Sequence, residues 1–345
     1  MGFEVTLAVD SWNVAIQAYK LNHHETEVIE ADIESLDPHS FPKADVIIGS
    51  PPCTEFSSSK RGGSGDFGEG LRLITAYLKF VQVLEPRWWL MENVPRLLKV
   101  LPRQVGFHDI VAEDDAPFEI PRREVFNSAD FGVPQRRLRL ISGRYPMPVQ
   151  THSDSSIHTL DNGLRNPWVP MREVIDAFPN PIGDLPKGGI IEDPNYDSLT
   201  VPVNQLKDHF MTSEEALMTW EEVERNRMQK TDHPYYGRMR FPDDLDRPAR
   251  TVMAMQLNSS RETMVIETRH NGEIRYRKPT VRECSSLQSY PITYRFAGET
   301  WRTRYKLVGN SVPVKLSAAL AKAILEQEGL EIPIRPLLMT VNLTS

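Results

Sequence analysis

The chain has 345 residues, 40% of them hydrophobic and 25% charged, with a formal net charge of −7. This length can bury a large core in one large domain or in a large and a small one, and the composition is that of an ordinary soluble protein. Two cysteines, Cys53 and Cys284, exclude a disulfide framework and point to a reducing compartment. No apolar run reaches the roughly 18–20 residues of a membrane span, and no signal peptide opens the chain. The acidic balance is only a weak argument against a polyanionic partner, because local patches decide such binding.

In chain order, "EVTLAV" (4–9) reads as a short strand. "NVAIQAYKLN" (13–22) places Val14, Ala18 and Leu21 on one helical face. "TEVIEADI" (26–33) is a second strand, and "ADVIIGS" (44–50) is a third whose continuous apolar run fits burial on both sides. "LRLITAYLKFVQVL" (71–84) has helical spacing; "RWWLMENV" (87–94) and "RRLRLISG" (136–143) read as strands. Alternation of this kind predicts an α/β fold with a doubly wound, mostly parallel sheet and a site at the carboxyl ends of its strands. From about 150 to 275 the texture is irregular and rich in proline, with helices expected at 171–179 and 213–229. A last helix spans 312–329.

Chemistry concentrates at the strand ends. Cys53 follows the third strand in "GSPPCTEFSS", and its prolines stiffen the turn. A lone cysteine there fits an inert buried thiol or a nucleophile. The polar, glycine-rich stretch 54–70 that follows suits a lid, and Lys60 and Arg61 would favour a thiolate. Glu92, in "MENV", ends the next strand; it is a solvated or capping residue or, beside a thiol, an acid or hydrogen-bond donor. Arg137 and Arg139 share one face in strand geometry, as a charged edge or as guanidiniums aimed at phosphate or base. Cys284 reads as packing.

These stretches, together with "RKPTVRECSSLQSYP" (277–291) and "YKLVGNSVPVKLSAALAKAI" (305–324), resemble in order and spacing the DNA cytosine-5 methyltransferases of bacteria and phages. The resemblance covers nearly the whole chain. It implies a class I S-adenosylmethionine-dependent methyltransferase fold with a smaller irregular target-recognition domain. Cys53 would add to carbon 6 of a flipped-out cytosine, Glu92 would hold ring nitrogen 3, Arg137 would contact the base and Arg139 would support the site. S-adenosylmethionine would be met by Asp10, Trp12, Asp32, Pro52, Asn310 and Ser311, and no metal is implied. Duplex DNA would be met by Gln135, Arg136, Arg261, Arg277 and Arg282, with Lys278 beside the last two; Gln256 and Arg261 could read base edges or meet phosphate and water.

The implied divisions are 1–148 for catalysis and cofactor, 149–276 for target recognition, 277–330 for a return to the catalytic domain, and a tail at 331–345. A cytoplasmic monomer in a bacterium or phage-infected host is implied, acting in restriction–modification or phage self-protection. A cognate restriction endonuclease is left open as a partner. The related transfer-RNA methylases and an inactive remnant that binds DNA or a partner are the alternatives. The family's opening strand and Phe-x-Gly-x-Gly loop have no counterpart here, since "MGFEVTLAVD" matches the residues just after them. The implied gap lies between the strands at 4–9 and 44–50, where each unpaired buried backbone group would cost about 1–3 kcal/mol. An internal start, a separate upstream polypeptide or a decaying gene would each explain it.

Overall fold

The computed structural model describes residues 2–52, 68–99, 101, 104–105, 118–154, 165–232 and 238–331. They pack as two units, the first comprising Met1–Asn127, Leu138–Val149 and Ala319–Ile332 and the second the remainder. Among the described residues no helix is long and apolar enough to cross a membrane.

The first unit begins with strand β1 (Leu7–Asp10), helix α1 (Asn13–Lys20) and strand β2 (Glu27–Glu30). Strand β3 (Val46–Gly49), helix α2 (Gly68–Leu84) and strand β4 (Trp88–Asn93) follow. Beyond a short antiparallel pair, Gln104–Val105 with Phe118–Glu119, come strands β5 (Arg122–Asn127) and β6 (Leu138–Arg144). Helix α2 forms because Ile74, Tyr77, Leu78 and Val81 recur at helical spacing. They bury against Trp89 and Met91 of β4 and Leu140 of β6. The Tyr77 hydroxyl, inside this core, donates to the carbonyls of Leu90 and Ile47.

The sheets correct the expected arrangement. β1 and β2 form a parallel pair of their own, and the larger sheet runs β3-β4-β6-β5. Only β3 and β4 are parallel in it; β6 lies antiparallel to both β4 and β5. The architecture is therefore α/β with a mixed sheet rather than a mostly parallel one. The physical reason is β5, whose "RREVFN" carries few apolar residues and gave no strand signal. It pairs with β6 from Arg122↔Gly143 to Asn127↔Leu138, and its exposed positions suit an edge. Among the described residues, β1 and β3 each pair along one edge only, and Ile48 in the middle of β3 is 75% exposed.

The second unit is built around helix α4 (Val281–Leu287), whose seven residues are all buried. Val281, Cys284 and Leu287 pack with Val174, Val201, Val252, Met264, Tyr305 and Val308. Cys284 is thus core, and burial pushes its thiol well above the ordinary value. The helix expected at 213–229 breaks. Leu217 leaves it to bridge Arg277, and Thr219 then caps helix α3 (Trp220–Thr231) in a reciprocal box with Glu222. Ahead of α4 stands a hairpin of β7 (Ile266–His270) and β8 (Glu273–Arg277). Asn271 and Gly272, both at positive φ, form its turn, as a two-residue hairpin loop requires.

Helix α5 (Trp301–Asn310) and helix α6 (Val314–Gln327) end the described chain. Residues 277–318 pack in the second unit, whereas the division read from the sequence returns the chain to the catalytic domain at 277. Gly309 marks a close approach: a Cβ there would lie 2.2 Å from the Ala254 nitrogen and 2.3 Å from its Cα. Backbone cannot yield as a side-chain tip can. Gly309→Ala should therefore lower the unfolding free energy by about 1–3 kcal/mol, measured by denaturant titration; a neutral result would show that α5 can shift.

Candidate active site

Two adjacent parallel strands, β3 and β4, deliver the central residues of the first unit to their carboxyl ends. After Gly49 the chain runs through Ser50, Pro51 and Pro52. Cys53, with the stretch to residue 67 that contains Lys60 and Arg61, lies outside the described residues. Glu92 and Asn93 end β4 alongside this turn. Asn93 is 2% exposed, and its Nδ2 donates to the Pro51 carbonyl at 3.0 Å while its Oδ1 accepts from the Val94 N–H. A side chain of one strand end thus pins the backbone of the other.

Glu92 has both carboxylate oxygens engaged. Oε1 lies 2.6 Å from Arg139 Nε, with the two side chains 13% and 12% exposed, and Oε2 accepts from the Ser50 hydroxyl. The strand register explains the pairing: Glu92 sits opposite Ile141 on β6, so Arg139 is within reach of it. A carboxylate held this way presents its remaining lone pairs in a set direction.

The two arginines differ, and Arg137 departs from its implied role. Arg137 lies before β6 rather than in it and is 1% exposed. Its Nη1 donates to the Val252 carbonyl at 3.0 Å, and its Nη2 to those of Gly309 and Ser311 at 2.7 and 2.9 Å. Its guanidinium ties two backbone segments of the second unit together, at 252 and at 309–311, and is not turned outward to a base. Arg139 is the arginine on Glu92.

Residues implied for the cofactor gather in part. Asp10 ends β1, and Asp32 follows β2, the strand paired beside it. Asp10 Oδ1 accepts from the Trp12 N–H at 2.8 Å, and Asp32 Oδ1 from the Glu34 N–H at 3.0 Å. Trp12 caps α1, and both carboxylates are exposed. Carboxylates at the ends of neighbouring parallel strands are suitable acceptors for a ribose diol and an exocyclic amine, so the donor chemistry fits S-adenosylmethionine. Pro52 is exposed at the end of the pinned turn. Asn310 and Ser311 belong to the second unit, where Asn310 is exposed and Ser311 Oγ donates to the Val308 carbonyl.

Several residues implied for DNA are structural instead. Gln135 is fully buried, accepting from the Val252 N–H. Arg277 is bidentate to Glu283 at 2.7 Å for each bond. Arg282 holds Asp208 at 2.7 and 2.9 Å and donates to the carbonyls of Ile292 and Tyr294. Lys278 turns to the Gln256 carbonyl, and Gln256, 8% exposed, donates back to Met253. A guanidinium so buried needs its carboxylate and cannot also face a phosphate. Arg136 is different, being exposed over the Trp168 ring at 6.0 Å. Arg261 is partly buried with Nε against the Met239 sulfur.

Sequence reasoning gave no role to Ser50 and set Asn93 aside within "MENV". The signal for both was position alone, since they directly flank the proline turn and Glu92.

The described part of the site is thus a proline turn tied to the end of β4 by Asn93, a strand-end glutamate held by Arg139 and Ser50, and two exposed carboxylates at the ends of β1 and β2. The chain belongs to the C-5 cytosine-specific DNA methylase family, whose model matches residues 1–326. It is 27% identical over 339 residues to the Type II methyltransferase M.FnuDI of Fusobacterium nucleatum, covering 94% of this chain and 89% of that protein. To M.MthTI of Methanothermobacter thermautotrophicus it is 25% identical over 327 residues, covering 94% and 91%. A prophage-encoded protein of E. coli, described as a DNA modification methyltransferase, has a similar fold. Its TM-score is 0.60 at 19% identity, with 95% of this chain and 94% of that one covered. The family's cofactor is S-adenosylmethionine.

Proposed function

We propose that the protein methylates carbon 5 of a flipped-out cytosine in duplex DNA, with Cys53 as nucleophile and Glu92 as the group at ring nitrogen 3. The observation that carries this reading is the arrangement around Glu92: Asn93 on the Pro51 carbonyl, and Arg139 and Ser50 on the two carboxylate oxygens. Addition of the Cys53 thiolate forms an S–C6 bond and moves electron density onto carbon 5. Glu92 meets the charge developing on the ring by sharing a proton at nitrogen 3. S-adenosylmethionine, when bound, supplies an electrophilic methyl group on a sulfonium. Loss of the carbon-5 proton to a base then returns electrons to the ring, the S–C6 bond breaks, and Cys53 leaves as thiolate.

In this reading residues 149–276 carry target recognition, with Arg136 and Arg261 as the candidate DNA contacts. Lys230 and Arg250 converge on Asp243, which also accepts from the Val265 N–H and so braces the segment that bears Arg261. The Type II names of the relatives support a place in restriction–modification, with a cognate endonuclease as partner.

The test is transfer of tritiated methyl from S-adenosylmethionine to mixed-sequence duplex DNA and, in parallel, to transfer RNA. Label on carbon 5 of DNA cytosine is the expected result, and label confined to transfer RNA would overturn the choice of substrate. A duplex carrying 5-fluorocytosine should retain the protein covalently, because carbon 5 cannot release fluorine as a cation. Glu92→Gln should lower kcat by about 100- to 1000-fold with the KM for DNA little changed. An unaltered kcat would place the proton at nitrogen 3 elsewhere.

A further inference from the structure

Glu92 is held asymmetrically. On Oε1 it meets Arg139, a guanidinium that can only donate. On Oε2 it meets the Ser50 hydroxyl, which donates to one lone pair of that oxygen and can go on doing so when the other side of the oxygen carries a proton. A proton gained by Glu92 therefore has one favourable place, Oε2, because on Oε1 it would compete with a guanidinium N–H. Ser50 is itself restrained. It precedes Pro51, which confines its backbone to the extended region, and the Pro51 carbonyl is fixed by Asn93. The same short segment thus leads into the nucleophile and orients the acid.

We propose that Ser50 is a positioning residue for the methyl transfer, holding Glu92 so that Oε2 carries the proton shared with ring nitrogen 3. The hydroxyl takes one lone pair of Oε2 and leaves the other for the base. The bond survives when the carboxyl gains or loses its proton, so Glu92 need not reorient between steps. The proposal rests on the function given above.

The experiment compares steady-state methylation by the full chain, Ser50→Ala and Ser50→Thr. Ser50→Ala should lower kcat by about 10- to 100-fold, with the KM values for DNA and S-adenosylmethionine within about twofold of wild type. Ser50 is exposed, so the melting temperature should not move. Ser50→Thr keeps the hydroxyl and accepts the extended backbone, and should restore most of kcat. In a Glu92→Ala background, Ser50→Ala should cost nothing further in single-turnover rate, since it acts through that carboxylate.

An unchanged kcat in Ser50→Ala, a failure of Thr to rescue, or an undiminished penalty without Glu92 would each overturn the proposal. So would a rise in KM matched by a fall in melting temperature, which would mark a structural role. A wild type that methylates no cytosine overturns the function and this inference together. A wild type that methylates while Ser50→Ala equals it overturns this inference alone.

Discussion

Cys53→Ala abolishes methyl transfer, by about 10⁴-fold or more, while duplex binding and thermal stability stay at wild-type levels. Carbon 5 of cytosine is a poor nucleophile until a thiolate adds at carbon 6, and a neutral hydroxyl is too weak a nucleophile to take its place. Stability should be spared because the turn is held by contacts that do not involve the sulfur. Asn93 binds the Pro51 carbonyl at 3.0 Å and Ser50 binds Glu92. The measurement is labelled methyl in DNA beside a binding titration and capture on 5-fluorocytosine duplex. A variant that binds DNA but neither methylates nor is captured is the expected outcome. Retained label in carbon 5 would remove Cys53 from the reaction.

Glu283→Ala should destabilise the protein by about 3–5 kcal/mol. Glu283 is fully buried and accepts both guanidinium bonds of Arg277 at 2.7 Å, together with the Thr280 N–H at 2.7 Å that begins α4. Its removal strands a buried guanidinium and uncaps a helix whose residues are all core. Burial by itself would raise this carboxyl, but Arg277, with His209 and the Thr280 backbone, holds it below its ordinary value. Its contribution to stability is therefore present above the unfolded carboxyl value and is lost as pH falls through the lower folded one. Denaturant titrations of wild type and variant at neutral and acid pH should converge on acidification. A Glu283→Leu, Arg277→Met double replacement should cost less than Glu283→Ala, because it removes both charges together. Equal losses would mean that the cap, not the ion pair, carries the energy.

Much of the first unit was legible because its signals are local. The spacing of Ile74, Tyr77, Leu78 and Val81 specifies one buried helical face, and the apolar runs at 46–49 and 88–91 specify strands, although Ile48 leaves the first of them open on one side where burial on both was expected. β5 was not legible, since "RREVFN" is held by its pairing with β6 and by nothing in its own pattern. The hairpin at 266–277 carries its own local signal in Asn271–Gly272, but "IETRH" and "EIRYR" are too polar to stand out as strands before they pair. The site divided along the same line. Order and spacing of motifs led to the family, yet the arginines of "QRRLRL" look alike as text.

By itself the sequence determined that this is a methyltransferase of the cytosine-5 family, and it singled out the thiol and the carboxylate on which the proposed function rests. Those are properties of residue type and order, which local period and turn chemistry express. Only the tertiary structure decided that Arg139 meets Glu92, and that Arg137 serves carbonyls up to 174 residues away. It also decided that Arg277 and Arg282 are buried partners of carboxylates and not hands for DNA. The reason is that a guanidinium is satisfied by whichever acceptors folding brings within about 3 Å, and segments far apart in the chain supply them. No local pattern carries that information.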